Sequence, residues 1–152
     1  MNEINSFYNN ELLTGISILA VLKKNGSLEI SKALLIHPIL SYTEVLKYVK
    51  RSNVRIRSIE ELIVKYNIKF TNFNTRYLEN LSLSINSILL LKQLKLIEIE
   101  GNRLIHSSTD FDFKDKSLSG RANELMLASI NISEMLKRED VSNLYLSLRI
   151  EI

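Results

Sequence analysis

The segment LKLIEIEGNRLIHS, residues 94–107, decides the fold prediction because it directly follows a leucine-rich helical run. Within it, isoleucine and glutamate alternate over residues 97–100, which places the two isoleucines on one face of a strand and the two glutamates on the other. Gly101-Asn102 then tolerates the positive φ of a two-residue hairpin turn. Helix, strand, tight turn and strand form the ending of a winged helix-turn-helix. Such domains read nucleic acid or, with the DNA surface eroded, dock inside larger assemblies.

Composition limits the remaining possibilities. The 152 residues, 45% of them hydrophobic, are enough for one domain with a sizeable core, and we expect a single winged-helix-like domain over residues 1–152 with a C-terminal helix and strand. The net charge of +3 is too small to require a nucleic-acid partner. The absence of cysteine excludes disulfides, thiolate metal sites and thiol catalysis, and fits a reducing cytoplasm.

Two features of the apolar segments predict a cytoplasmic protein without a membrane partner. The opening MNEINSFYNNE (1–11) lacks the basic segment and apolar core of a secretion signal. Lysines interrupt the apolar runs well before the roughly 20 residues that a membrane span requires.

Apolar spacing predicts a mostly helical chain. A capping box at Ser58 to Glu61 begins one of the helices, and Pro38 interrupts another. The predicted helices cover residues 9–24, 29–36, 43–51, 59–66, 72–80, 83–94 and 119–137.

The C-terminal residues alternate without a break between aliphatic and other side chains. Leucine or isoleucine occupies every second position from Leu144 to Ile152. This pattern predicts a strand with one buried face. Because a strand must pair its backbone, we expect it to join the hairpin at residues 96–107. The predicted fold class is mostly α with a small antiparallel sheet, a winged helix-turn-helix-like body whose C-terminal strand joins the wing hairpin.

The segment KYVKRSNVRIR, residues 47–57, carries five basic residues and no acid. If the first three lie on one helix face, they can meet successive phosphates, while the last two follow in a loop. A solvated helix face or contact with an acidic protein partner explains the same charges. The candidate nucleic-acid or partner-binding residues are Lys47, Lys50, Arg51, Arg55 and Arg57.

The helix before a wing normally reads the major groove with long polar side chains. Here it presents only short ones, with lysines at its end, and the wing carries two glutamates that repel phosphate. The expected exposed polar residues are Ser82, Ser84, Asn86 and Ser87. A DNA-binding winged-helix transcriptional regulator is therefore the alternative rather than the preferred interpretation. The aromatic string Tyr66, Phe70, Phe73 and Tyr77 favours core packing over base stacking.

Catalysis has no candidate residues. His37 and His106 lack a third imidazole or an adjacent carboxylate, so both are expected to be packed structural histidines. Asp110, Asp112 and Asp115 lack the glycine and terminal glutamate of a calcium loop and are expected to be solvated. We predict no catalytic residue, no metal and no cofactor.

Six stretches follow one another along nearly the whole chain: YNNELLTGISILAVLKK (8–24), SLEISKALLIHPIL (27–40), RSIEELI (57–63), FTNFNTRYLENLSLSINSILLL (70–91), LKLIEIEG (94–101) and DVSNLYLSLRIEI (140–152). Taken in this order, they resemble the small middle component of three-component ABC systems, a family that includes the LmuC-type subunit of Lamassu antiphage defence. The resemblance implies a non-enzymatic bacterial defence subunit with a helix-turn-helix-like body. Its implied partners are an SMC-like ABC ATPase subunit, a nuclease-type effector subunit and double-stranded DNA reached through the complex.

Overall fold

The computed structural model describes residues 3–108, 111–112 and 119–152, with side chains described from Asn10 onward. Helices dominate these residues, and three short strands form one sheet, as the predicted fold class requires. In chain order the elements are α1 (Glu3–Asn25), β1 (Ser27–Glu29), α2 (Ile30–Leu40), α3 (Thr43–Val49), α4 (Ile59–Lys65), α5 (Asn67–Phe70), α6 (Phe73–Gln93), β2 (Ile97–Glu100), β3 (Arg103–His106), α7 (Gly120–Arg138) and α8 (Val141–Ser147).

The predicted hairpin is confirmed. Strands β2 and β3 pair antiparallel with Glu100 opposite Arg103, which leaves Gly101-Asn102 as the two-residue turn. Gly101 has a φ of 59°, a conformation that glycine adopts without a side-chain clash. The third strand is β1, which pairs with β3 to give the order β1-β3-β2.

The predicted C-terminal strand is wrong, since residues Val141–Ser147 form helix α8. The Asp140 carboxylate caps this helix by accepting a hydrogen bond from the Asn143 N–H at 2.7 Å. Leu144 and Leu148 are buried on the helical i, i+4 spacing, while Leu146 is 77% exposed. The alternating residues also include Leu144 and Leu148, which are four positions apart as on one face of a helix. The capping hydrogen bond of Asp140 stabilises this helix. The third strand comes instead from residues 27–29, too short to show a strand period.

Two further helix boundaries differ from the sequence prediction. Helix α2 continues through Pro38 to Leu40. Its residues Leu35, Ile36, Ile39 and Leu40 are fully buried, and this burial offsets the backbone hydrogen bond that proline cannot donate. The two helices predicted at residues 72–80 and 83–94 form one continuous helix, α6.

The core is built around α1, which packs mainly against α6 and α7. Ile18, Val21 and Leu22 are fully buried within one hydrophobic cluster that extends to Leu144 and Leu148 at the end of the chain. At Gly15 the backbone of α1 comes so close to α6 that an added Cβ would lie 3.3 Å from the Leu91 side chain. The close approach of these two helices fixes α6 beside the sheet.

Helix α4 begins at the predicted residue but through different contacts. The Ser58 side chain makes no capping hydrogen bond. Instead the Ile59 N–H donates to Glu139 Oε2 at 2.9 Å, and the Arg57 N–H donates to Glu61 Oε1 at 3.3 Å. A carboxylate from the end of α7 therefore holds the start of α4, which positions the segment between α3 and α4 against the helical body.

The position of α6 directly before the hairpin, together with the sheet order, is compatible with a winged helix in which α3, α4 and α5 are inserted. In that arrangement α6 occupies the place of the DNA-reading helix. The wing is anchored beside its turn, where the Arg103 guanidinium and the Lys32 ammonium both pair with the Glu29 carboxylate. Lys32 is only 5% exposed and is shielded from solvent, whereas the Arg103 side chain in the same anchor is 41% exposed.

Candidate partner-binding surface

The five basic candidates lie on α3 and on the segment that joins it to α4. Helix α3 ends at Val49, so Lys50 caps it and Arg51 lies beyond it. The expectation that the first three bases share one helix face is therefore wrong. The reason is local, since the Lys50 N–H closes the last turn on the Leu46 carbonyl and the chain then turns away.

Two of the five basic side chains are engaged in intramolecular contacts. Lys50 Nζ lies 3.3 Å from Glu124 Oε1 on α7. Arg55 Nη1 donates to the Val54 carbonyl at 2.7 Å and to Asn131 Oδ1 at 2.6 Å. Lys47, Arg51 and Arg57 are exposed, and none of them has a carboxylate partner within the described part of the chain. The structure therefore separates the predicted run into two cations that bind oxygens of the chain, Lys50 and Arg55, and three exposed cations without a carboxylate partner.

Asn131 holds the segment that carries these residues. It is 4% exposed on α7, and its Nδ2 donates to the Val49 carbonyl at 2.6 Å and to the Arg51 carbonyl at 2.9 Å. Its backbone carbonyl also accepts from the Ile56 N–H at 2.9 Å. The buried amide thus pairs the Val49 carbonyl at the end of α3. It also adds a second donor to the Arg51 carbonyl, which already accepts from the Val54 N–H at 3.1 Å, and so holds the chain where it leaves α3.

An aromatic and basic cluster lies beside the run, and the sequence reasoning missed part of it. The Tyr48 and Tyr66 ring centroids are 6.1 Å apart and tilted by 56°. Lys65 Nζ lies 4.4 Å from the Tyr48 ring centroid and 6.0 Å from the Tyr66 centroid. Arg51 Cζ lies 5.8 Å from the Tyr48 centroid. We call Tyr48, Arg51, Lys65 and Tyr66 the tyrosine-cation cluster.

Lys65 was missed because its contact with Tyr48 joins two helices, and sequence spacing does not reveal such a contact. The spacing that is visible, Glu61 to Lys65, predicts an i, i+4 ion pair within α4. Glu61 and Lys65 form no ion pair in the structure.

Burial raises the pKa of the Tyr66 hydroxyl. Tyr48 and Glu44 raise this pKa further, and Arg51 lowers it. Tyr66 therefore remains neutral at physiological pH.

Three of the four aromatic residues expected to pack in the core do so. Phe70, Phe73 and Tyr77 are at most 6% exposed, and the Phe70 and Phe73 rings stack at 5.6 Å. Tyr66 is half-buried: it packs against the edge of the core and also belongs to the tyrosine-cation cluster. Core packing therefore explains the string, with only its first residue at the edge of the core.

The outward face of α6 is aliphatic. Leu78, Ile85 and Leu89 are 51%, 43% and 48% exposed and recur at helical spacing, with exposed Ser82 among them. Ser84 and Ser87, which were expected to be exposed, are fully buried. The interpretation of α6 as a poor reader of DNA is strengthened, because the exposed positions between Glu79 and Lys92 carry only Ser82, Ile85 and Leu89, none of which is a long polar side chain. The wing glutamates, Glu98 and Glu100, are exposed as expected.

The histidines occupy separate places. His37 is half-buried on α2, where Thr14 Oγ1 lies 3.3 Å from its Nδ1. Burial lowers the pKa of His37. The positive charges of Arg121 and Arg76 lower this pKa as well, whereas a hydrogen bond with Asn80 raises it. His106 lies in β3. Across residues 3–108, 111–112 and 119–152, no three His, Asp or Glu side chains form a group that suits a metal ion. Asp110 and Asp115 lie outside the described residues.

No helix in those same ranges is long and apolar enough to cross a membrane.

The comparisons with known proteins give one match. No curated protein and no solved structure is significantly similar to the chain. The family model of the ABC-three component (ABC-3C) system Middle Component 3 matches residues 4–152, nearly the whole length. Middle components are accessory, non-catalytic proteins that work with the other components of their system. The chain therefore belongs to the Middle Component 3 family of ABC-three component systems.

Proposed function

We propose that this chain is a non-catalytic accessory subunit of a cytoplasmic bacterial antiphage defence complex, in which it bridges an SMC-like ABC ATPase and a nuclease-type effector, as in Lamassu systems. The observation that carries the proposal is the family match over residues 4–152. The exposed charges and aliphatic side chains described above support a role in binding rather than in chemistry.

A bridging subunit needs two separate surfaces, and the chain offers two of different character. One is the basic corner around α3 and α4, with Lys47, Arg51 and Arg57 exposed. The other is the aliphatic face of α6, where Leu78, Ile85 and Leu89 are about half exposed. Exposed apolar patches of this kind commonly mark protein interfaces. The bridging role assigns a protein partner to each surface.

The experiment is affinity purification of this chain, tagged and co-expressed with the products of its neighbouring genes. The expected result is a complex that contains both an ATPase and an effector. In a parallel culture without this chain, in which the ATPase carries the tag instead, the effector should no longer co-purify with the ATPase. If they associate equally well without it, the bridging role is wrong.

Non-specific contact with duplex DNA is the second candidate role for the basic corner. It is favoured by the three exposed cations that lack a carboxylate partner among the described residues. Such contact should be independent of sequence and should weaken steeply with salt, with a slope of about −0.9 per phosphate neutralised. Exchanging Lys47, Arg51 and Arg57 for glutamate should flatten that slope in the assembled complex. If these exchanges abolish assembly first, the corner binds protein.

A further inference from the structure

We infer that the tyrosine-cation cluster, together with the exposed aliphatic side chains of Val64 and Ile68, is a binding site for an acidic segment of a partner protein that also carries apolar side chains. This inference rests on the proposed function, because it assigns a surface to one of the partners. It replaces the linear basic run with a site assembled from α3, α4 and α5.

The first argument is charge. Residues 43–70 contain seven basic and three acidic residues. Of the basic ones, Lys50 and Lys69 are paired with Glu124 and Glu44, and Arg55 is bound to backbone and amide oxygens. The other four, Lys47, Arg51, Arg57 and Lys65, have no carboxylate partner in the part of the chain that the structure describes. Two of them, Arg51 and Lys65, belong to the cluster. Two neighbouring cations of this kind attract carboxylates.

The second argument is that the cluster is held in place before any partner binds. Tyr48 and Tyr66 pack against the hydrophobic core, so their rings are fixed. The Lys65 ammonium lies over Tyr48 rather than pairing with Glu61 one turn away. Asn131 holds the Arg51 carbonyl. Cations positioned in this way lose less side-chain entropy when they bind an anion than freely rotating ones do.

The third argument selects protein over nucleic acid. Val64 and Ile68 are 78% and 87% exposed, and they lie one residue before and three residues after Lys65, in α4 and α5. A phosphate backbone gains nothing from two aliphatic side chains, whereas a peptide can bury its own apolar side chains against them. The tyrosine rings are also poorly placed for base stacking, because Lys65 and Arg51 lie near the Tyr48 ring and both rings are partly buried.

The test uses the full chain and two fluorescent probes: a peptide that alternates glutamate with leucine, and a short DNA duplex of random sequence. The double variant Arg51→Glu with Lys65→Glu should weaken peptide binding by at least about tenfold. The matched control, Lys92→Glu with Lys95→Glu at the exposed end of α6, makes the same change in net charge elsewhere and should leave peptide binding within about twofold.

A second variant tests the apolar part of the site. Val64→Ser with Ile68→Ser should weaken peptide binding and leave duplex binding unchanged. Because both side chains are exposed, its melting temperature should match that of the parent. Duplex binding that falls while peptide binding persists in the charge variant would assign the cluster to nucleic acid. Equal losses in the cluster and control variants, or no binding of the peptide by the parent chain, would also overturn the inference.

The same variants separate this inference from the proposed function. If the parent chain assembles with the ATPase and effector and the Arg51→Glu, Lys65→Glu variant loses one of them, both statements stand. If the variant assembles as the parent does, the inference fails and the bridging role stands. If the parent chain joins no complex, the bridging role fails, and the peptide measurements decide the chemistry of the cluster alone.

Discussion

The buried side chain of Asn131 holds the surface segment between α3 and α4, which carries Arg51 and Arg55. Its amide N–H groups bind the Val49 and Arg51 carbonyls, and its Oδ1 accepts from Arg55. Asn131→Ala would remove the Nδ2 donor of the Val49 carbonyl, while the Arg51 carbonyl would keep the Val54 N–H, so we expect a cost of about 1–3 kcal/mol. We expect thermal denaturation to show a clearly lower melting temperature for this variant. Asn123→Ala, an exposed position on the same helix, is the control and should melt within a degree or two of the parent.

His37 links stability to pH. Because burial lowers its pKa in the folded chain, the unfolded chain takes up a proton first as the pH falls through 6.5, the ordinary value for histidine. The contribution of neutral His37 is therefore present above pH 6.5 and is lost below it. His37→Gln, which cannot titrate, should lose less stability between pH 7 and pH 5, as measured by urea denaturation. Identical pH dependence in parent and variant would contradict this.

At the scale of the element, α8 makes the sharpest prediction. A strand would place Leu144 and Leu146 on the same face, whereas the helix buries the first and leaves the second 77% exposed. Leu144→Asp should therefore lower the free energy of unfolding by about 4 kcal/mol. Leu146→Asp should change it by less than about 0.5 kcal/mol. Equal destabilisation by the two substitutions in a denaturant titration would restore the strand assignment.

The elements also show what the sequence could and could not predict. The hairpin was predictable because its register depends on a local turn, Gly101-Asn102, and on the alternation beside it. β1 was not, because three residues carry no period and pair with a partner about 75 residues away. The end of α2 at Leu40 was missed for a similar reason, since burial in the assembled core decided whether the helix passed Pro38.

The same division applies to the candidate site. Composition located the basic run, and Lys47, Arg51 and Arg57 are exposed as expected. The engagement of Lys50 with Glu124 and the approach of Lys65 to Tyr48 depend on how α3 meets α7 and α4. Contacts between helices distant in sequence cannot be derived from residue spacing. The sequence therefore identified the region of the surface, and the packing decided which side chains in it are available to a partner.

For the molecule as a whole, the charge distribution decides between a docking subunit and a transcriptional regulator. A net charge of +3, exposed wing glutamates and an aliphatic outward face on α6 give little steering toward DNA and no side chains suited to reading bases. The isolated chain should bind duplexes of any sequence with similar, weak affinity. A regulator that recognises an operator instead prefers its site by a factor of about a thousand or more.

This prediction can be checked by presenting the isolated chain with a pool of randomised duplexes and sequencing the bound fraction. We expect no enriched motif, because the exposed cations of the basic corner suit phosphates, which carry no sequence information. The same selection on a variant with Leu78, Ile85 and Leu89 changed to serine controls for the exposed face of α6, and it too should enrich nothing. A motif enriched by the parent chain and lost in this variant would show that α6 reads DNA and would decide for the regulator.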